Sequence, residues 1–300
     1  MNEPLISVAL CTYNGEKYIR EQLQSIIGQS YKNLEIIIVD DVSTDKTFDI
    51  VSACSKSDSR IKCYKNEVNL GFNKNFEKAI TLTSGNYIAI SDQDDVWLPN
   101  KLQSLLDHIK DNWLIFSNSS YTGNDKQGRL LKYLKLPVTY RGLLFRNYVT
   151  GHTTLLHREF LSFVLPFPQE GYYDWWMGFV AAYHHKITFY DDMLTYYRVH
   201  NESVIKRRLD LSKAELVEYE NITVMLNSFA GYKNLKPADK IFINQIKDAY
   251  QLKGSGSRSV PLMKLVYKYY HELFPNRKPW KSLTKLIFAF KFSKGVEIKG

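Results

Sequence analysis

Asp92, Asp94 and Asp95 put three carboxylates within four residues, Asp92-Gln93-Asp94-Asp95, just after an apolar run. Like charges this close repel one another, and a divalent cation relieves the repulsion. Mg²⁺ or Mn²⁺ typically takes one or two carboxylates and fills its octahedron with phosphate oxygens and water, so the cluster predicts a cation that carries a phosphorylated ligand. A solvated acidic turn ahead of the helix opened by Pro99 is the plainer explanation. Asp40-Asp41 is a second acidic pair. A carboxylate there accepts a hydrogen bond from a nucleobase N–H or a ribose hydroxyl, or else caps a helix. The run Asn69-Leu70-Gly71-Phe72-Asn73-Lys74-Asn75 reads as a turn into a helix, placing Lys74 and a helix N-terminus where an anion docks. Asp174 is the one acid within Tyr172-Tyr173-Asp174-Trp175-Trp176. The helix dipole favours its charge while apolar neighbours raise its basicity, as a general base requires; an N-cap between core tryptophans is the alternative.

The elements that must position these groups are legible from periodicity. Residues 5–10 and 35–39 are short apolar runs suited to buried strands, followed by Thr12–Asn14 and by Asp40-Asp41. Ile19, Leu23, Ile26 and Ile27 recur at helical spacing, with Asn14 as a possible cap and Gly28 as a stop. Strands are expected at 61–64, 87–91, 113–116 and 187–190, and helices at 73–83, 100–109 and 174–184. Residues 118–127 read as a polar loop, and the pattern from about 209 onward is helical. Gly254-Ser-Gly-Ser257 reads as a flexible break. Strands alternating with helices predict an α/β fold with a mostly parallel sheet, in which ligands bind at the carboxyl ends of the strands. Thr12–Asn14, Asp40-Asp41 and Asp92–Asp95 all fall at such ends.

Composition limits the function classes. The 300 residues carry a net charge of +9, but residues 254–300 alone hold ten basic and two acidic residues, leaving residues 1–253 at +1. A nucleic-acid groove across the protein is therefore not expected. No apolar stretch reaches the roughly 18 residues of a membrane span, and the N-terminus does not read as a signal peptide. Cys11, Cys54 and Cys63 are odd in number and lack CxxC spacing, which favours reduced thiols and a cytoplasmic chain.

Thr12-Tyr13-Asn14-Gly15, Gln29-Ser30-Tyr31, Val39-Asp40-Asp41-Val42-Ser43-Thr44-Asp45, Asn69-Leu70-Gly71, Gly85-Asn86-Tyr87-Ile88 and Ser91-Asp92-Gln93-Asp94-Asp95 occur in the order found in family 2 glycosyltransferases of the GT-A fold. The sequence resembles that family over about residues 5–203, with the acidic cluster matching its DxD motif. The resemblance implies a Rossmann-like sheet flanked by helices in a catalytic domain over residues 1–205, and a helical, basic region over 206–300. It also implies a nucleotide-sugar donor, a saccharide or lipid-linked acceptor, and Mg²⁺ or Mn²⁺. Thr12, Tyr13, Asn14, Asp40, Asp41, Lys74, Asp92 and Gln93 are then expected at the nucleotide sugar, and Asp94 is the principal metal ligand, helped by Asp92. Thr150-Gly151-His152-Thr153-Thr154 resembles the segment lining the sugar pocket, and Tyr196-Tyr197-Arg198-Val199-His200 resembles a Tyr-Arg-x-His element. Arg198 is expected on the diphosphate, His200 there or on the metal, Trp175 at the donor, and Asp174 as the base. Tyr173 stands where relatives often have His.

The detailed motifs are similar to those of bacterial rhamnosyltransferases that build surface polysaccharides, which implies a dTDP-sugar, with a UDP-sugar the other expectation. A nucleotidyltransferase is the competing enzyme class, although Thr12-Tyr13-Asn14-Gly15 lacks its Gly-rich basic loop. A basic nucleic-acid-binding protein is the competing non-enzyme. Residues 254–300 mix Lys and Arg with aromatics, which suits peripheral contact with the inner face of the plasma membrane or a helical subdomain with exposed lysines.

Overall fold

The fold is described from a computed structural model, over residues 3–122, 134, 136–198, 214–277 and 281–296. The elements run β1 (Ile6–Thr12), α1 (Ile19–Ile27), β2 (Leu34–Asp40), α2 (Thr47–Ser57), β3 (Ile61–Lys65), α3 (Phe72–Thr81), β4 (Tyr87–Ser91), β5 (Val96–Trp97), α4 (Lys101–Ile109), β6 (Leu114–Thr122), β7 (Thr154–His157), α5 (Leu161–Val164), α6 (Tyr173–Tyr183) and β8 (Ile187–Arg198). The helices α7 (Ala214–Ala230), α8 (Pro237–Gln251), α9 (Val260–Lys268), α10 (Tyr270–Leu273) and α11 (Ser282–Phe292) follow. Two compact units emerge. One comprises Met1–Lys132, Tyr148–Gln169 and Val180–Val199, and the other Tyr133–Asn147, Glu170–Phe179 and His200–Gly300. The sequence places one cut after residue 205, whereas residues 133–147 and 170–179 also group with the C-terminal helices.

The first unit holds one eight-stranded sheet in the order β3-β2-β1-β4-β7-β6-β8-β5. β1 pairs in parallel with β2 and β4, and β2 with β3. This is the arrangement that crossover helices impose on strands buried on both faces. All seven residues of β1 and of β2 are buried, which is why both read as near-continuous apolar runs. β7 runs antiparallel to β4 and β6, and β5 antiparallel to β8, while β6 pairs in parallel with β8, so the sheet is mixed beyond β4. Ile19, Leu23 and Ile26 of α1 pack with Leu102, Leu105 and Ile109 of α4 in the core against these strands.

The polar loop expected at 118–127 does not begin there, because β6 continues to Thr122 beside β8. Ser119 and Ser120 resemble loop residues in type, yet the neighbouring strand satisfies their backbone, across register shifts at Ser117/Asn118 and Asn118/Ser119. Asn118 stays buried and donates from Nδ2 to Asp191 Oδ1 at 3.3 Å. Such pairing is invisible to a search for apolar alternation.

Glu35 of β2 is buried facing Ser7, whose hydroxyl donates to its Oε1 at 2.6 Å. The Ser84 hydroxyl donates to the same oxygen at 2.8 Å, and Lys62 Nζ lies 3.4 Å from Oε2. Burial alone would raise this carboxyl. The bonds from Ser7, Ser84 and Lys62 outweigh it and hold the group at about 2, against 4.5 ordinarily. A depressed native value means stability that is complete above about pH 4.5 and lost as pH falls toward 2. Glu35→Gln is therefore expected to lower stability near neutral pH by about 1–3 kcal/mol and to flatten the acid limb. Urea midpoints near neutral pH and at about pH 3 check this; an unchanged acid limb would contradict it.

The second unit is held by aromatic packing. Phe179 stacks on Phe229 at 4.1 Å, and Phe145 packs on Tyr250, Phe274 and Phe292 at 5.5, 5.7 and 5.0 Å. The expected break at 254–257 is a packed turn. Gly256 takes φ +77°, and a Cβ on Gly295 would sit 2.2 Å from the Gly256 carbonyl carbon, so bare backbone is needed for that close approach. Among the described residues, no helix is long and apolar enough to cross a membrane.

Candidate active site

The carboxyl ends of β1, β2 and β4 are joined by short polar links. Thr12 Oγ1 donates to Asp40 Oδ2 at 2.9 Å, and Ser43 N donates to Asp40 Oδ1 at 2.9 Å, so this buried carboxylate ties two strand ends together. Asp41 is also buried. Its Oδ1 accepts from Leu70 N at 2.8 Å and Asn66 Nδ2 at 2.7 Å, and its Oδ2 accepts from Gly71 N at 2.9 Å, so it shapes the 69–71 turn. Asn14 stands at φ 49°, a conformation Asn tolerates better than most residues. Its amide oxygen accepts from Thr44 N at 2.8 Å rather than capping α1.

Tyr13 is 49% exposed at the mouth of these strands, a ring available to stack on a base. Its backbone is clamped by Gln93, which accepts from Tyr13 N and donates to Tyr13 O, both at 2.9 Å. A Cβ on Gly15 would lie 2.2 Å from Gln93 Oε1, so glycine at 15 leaves room for the clamp that joins the β1 loop to the acidic cluster. Lys74 lies in the first turn of α3 and pairs with Glu77 at 3.0 Å.

Asp92 Oδ2 and Asp95 Oδ2 lie 3.8 and 3.7 Å from His152 Nδ1, and one ligand atom from each of the three falls within 4.8 Å of the others. Asp95 is buried. Its Oδ1 accepts from Arg198 N at 3.2 Å, whereas Oδ2 has no hydrogen-bond partner among the described residues. Burial, then Asp92 and Asp94, push the Asp95 carboxyl well up. An orphaned buried carboxylate oxygen normally signals a missing partner. Burial and the nearby Lys101 hold the His152 ring down at about 3, so it is neutral at physiological pH with one ring nitrogen lone pair to offer. Two carboxylate oxygens and one neutral imidazole fit a divalent cation. Asp94 stands outside that set; its carbonyl accepts from Arg198 Nε at 3.0 Å. His200 lies outside the described residues.

Lys101 is fully buried beneath the cluster. Its ammonium donates to the His152 carbonyl and to Thr195 Oγ1, the latter at 3.0 Å, and sits 3.8 Å above the Trp97 ring. Burial drives its pKa well below the usual lysine range, against the pull of Asp95 and Asp92. The Tyr197 ring stacks on His152 at 5.1 Å and 16°. Arg198 pairs with Glu21 at 2.6 Å and lies 5.0 Å over the Tyr18 ring.

In the second unit, Asp174 opens α6. Its Oδ1 accepts from Asn147 Nδ2 at 3.1 Å and from Trp175 N at 2.7 Å. Trp175 is buried and donates from Nε1 to the Leu143 carbonyl at 2.6 Å, which fixes the start of the helix.

Residues 7–163 match the model of the family described as glycosyl transferase family 2, just over half of the chain. This chain belongs to glycosyl transferase family 2. An uncharacterized glycosyltransferase of Haemophilus influenzae is 32% identical over 254 residues, covering 75% of this chain and 76% of the relative. The Escherichia coli UDP-Glc:alpha-D-GlcNAc-diphosphoundecaprenol beta-1,3-glucosyltransferase WfaP is 30% identical, covering 73% and 85%. Among solved structures, S. aureus TarS 1-349 in complex with UDP-GlcNAc superposes with a TM-score of 0.62 at 21% identity, covering 95% and 81%. That likeness places the family 2 chain in the GT-A fold.

The sequence places Asp92 at the nucleotide sugar and the metal and His152 at the nucleotide sugar alone, and it gives Asp95 no task. Asp95 reads as the last member of an acidic turn, because its burial depends on the short β5–β8 pairing at Val96↔Tyr196 and Trp97↔Thr195. Lys101 reads as a surface helix residue. The one signal for it is its place beside Pro99 and Leu102, at the start of a helix with a buried face.

Proposed function

We propose that this chain transfers one sugar, with inversion at its anomeric carbon, from a nucleoside diphosphate donor to a hydroxyl of a lipid-linked saccharide during assembly of a bacterial surface polysaccharide. The observation that carries the reading is the gathering of ligand atoms from Asp92, Asp95 and His152 within 4.8 Å of one another, with Asp95 Oδ2 lacking a hydrogen-bond partner among the described residues, at the carboxyl end of β4 in a family 2 chain. Ligands of open α/β sheets sit at such strand ends. A UDP-sugar is the favoured donor, because WfaP is named for UDP-Glc and TarS holds UDP-GlcNAc; dTDP-rhamnose is the second candidate. The diphosphoundecaprenol acceptor of WfaP supports a lipid-linked acceptor here.

Asp92, Asp95 and His152 would hold Mg²⁺ or Mn²⁺, with Asp94 and His200 as the ligands implied by the DxD and Tyr-Arg-x-His elements. A cation there supplies charge to balance a departing nucleoside diphosphate. Thr12, Asp40 and Asp41 build the floor under the base and ribose, Asn14 fixes the loop above it, and Tyr13 offers its ring. Gln93 locks that loop to the acidic cluster, so the nucleotide and diphosphate ends of the donor are positioned together. Lys74 and Arg198 add positive charge on the donor side. Asp174 takes the proton from the acceptor hydroxyl, whose oxygen attacks the anomeric carbon as its bond to diphosphate breaks.

The reading is tested by a thermal-shift panel of UDP-, dTDP-, GDP- and CDP-sugars with Mn²⁺ or Mg²⁺, followed by assay of nucleoside diphosphate release. One donor at about a hundred times its Kd should add about 2.7 kcal/mol and release its nucleoside diphosphate with acceptor present. If no nucleotide sugar stabilises the chain while a sugar phosphate and a nucleoside triphosphate are consumed together, the nucleotidyltransferase reading replaces it.

A further inference from the structure

We propose that the outer face of α11 is a docking surface for an anionic lipid bilayer. Leu283, Leu286, Ile287 and Phe290 fall at i, i+3, i+4 and i+7, one stripe of the helix, and are 64, 45, 46 and 50% exposed. The helix is not displaced from a core it should occupy. Its opposite face is already used, with Ala289 buried and Phe288 and Phe292 packed on Phe274 at 4.8 and 5.1 Å. The chain beyond it is anchored by Ser259 N to Ser293 O at 3.0 Å and Val296 N to Lys253 O at 2.8 Å. A helix that packs one apolar face and exposes a second has a further apolar partner to meet.

Charge identifies that partner. From 281 to 296 the chain carries Lys281, Lys285, Lys291 and Lys294 and no acid. The Arg258 guanidinium lies 3.4 Å above the exposed Phe290 ring, so a cation sits on the stripe itself. Neighbouring α9 adds Lys264 and Lys268 beside exposed Val260 and Tyr267. Apolar side chains flanked by cations suit the headgroup boundary of an anionic membrane, the chains entering the acyl edge while the ammoniums meet phosphates. Eleven residues of helix span about 16 Å, far short of a bilayer, so α11 lies in the membrane plane. A second copy of this chain fits poorly, because an isologous contact would bring the same lysines together. The proposal deepens the reading of a lipid-linked acceptor but rests on α11 itself.

The test is flotation of the full chain with vesicles of phosphatidylglycerol and phosphatidylcholine, against phosphatidylcholine alone, without donor or metal, so that its outcome is separate from that of the transfer assay. Binding to the anionic vesicles should exceed the neutral ones by about tenfold or more and weaken with salt. Leu286→Glu/Ile287→Glu should lose about tenfold or more with an unchanged melting temperature. Lys281→Gln/Lys285→Gln/Lys291→Gln/Lys294→Gln, which leaves every apolar contact in place, should abolish the preference for anionic lipid. The proposal is overturned if the wild type floats with neither vesicle, if both variants bind as the wild type does, or if α11 instead mediates a dimer in vesicle-free buffer that the double variant dissolves.

Discussion

Asp95→Asn is expected to lower turnover by about 10²–10³-fold while leaving the protein without added metal at least as heat-stable as the wild type. The two halves of this result have one cause. The Asp95 carboxylate is buried, its Oδ2 has no hydrogen-bond partner among the described residues, and Asp92 and Asp94 add like charge. Such a charge costs stability unless something positive meets it. Asparagine removes the cost of ionising at this buried position, keeps the shape and can still accept from Arg198 N through Oδ1. In the wild type, Mn²⁺ with donor should raise the melting temperature by binding the folded state alone; in the variant that increment should shrink sharply. Differential scanning calorimetry with Mn²⁺ or EDTA, alongside a transfer assay, separates the outcomes. A variant that melts lower without metal and responds to Mn²⁺ as the wild type does would show that Asp95 is structural, and would return the principal ligand role to Asp94.

The contrast between Asp94 and Asp95 shows where the sequence stops being readable. The strand β4 and the acidic turn after it are local, so their place at a sheet's carboxyl end is legible from an apolar run followed by polar residues. Which of three adjacent acids turns inward is not local. It is decided by β5 pairing with β8, about a hundred residues away, and by Arg198 N reaching Asp95. Two residues of strand carry no periodicity to detect. His152 was legible as a residue of the site but not as a partner of Asp95, since the link runs through a turn at Gly151–Thr153 that no helical or strand pattern marks. Asp40 and Asp41 were legible as strand-end acids. Their carboxylates prove to be joints that hold the Thr12 and 69–71 backbones, a task that depends on contacts some thirty residues distant. Lys101 shows the limit most sharply, because nothing but burial distinguishes it from the surface lysines that dominate this sequence.

Asp174→Asn carries the other large effect, and its weight lies in what should survive. Asparagine is nearly isosteric with aspartate. Its Oδ1 can accept from Asn147 Nδ2 and from Trp175 N as the carboxylate does, so the start of α6 and the buried Trp175–Leu143 bond should persist. Only the capacity to take a proton is lost. For a general base that loss is worth about 10²–10⁴ in rate, and donor affinity measured by calorimetry in the presence of Mn²⁺ should remain within about twofold of the wild type. The hydroxyl proton would then pass to water, so the residual rate should rise with pH where the wild-type rate has already levelled. If Asp174→Asn keeps near-wild-type turnover, the proton goes elsewhere and Asp174 is an N-cap among tryptophans. Loss of donor binding together with turnover would instead make the side chain part of the donor pocket, and the base would have to be sought among the remaining acids of the chain.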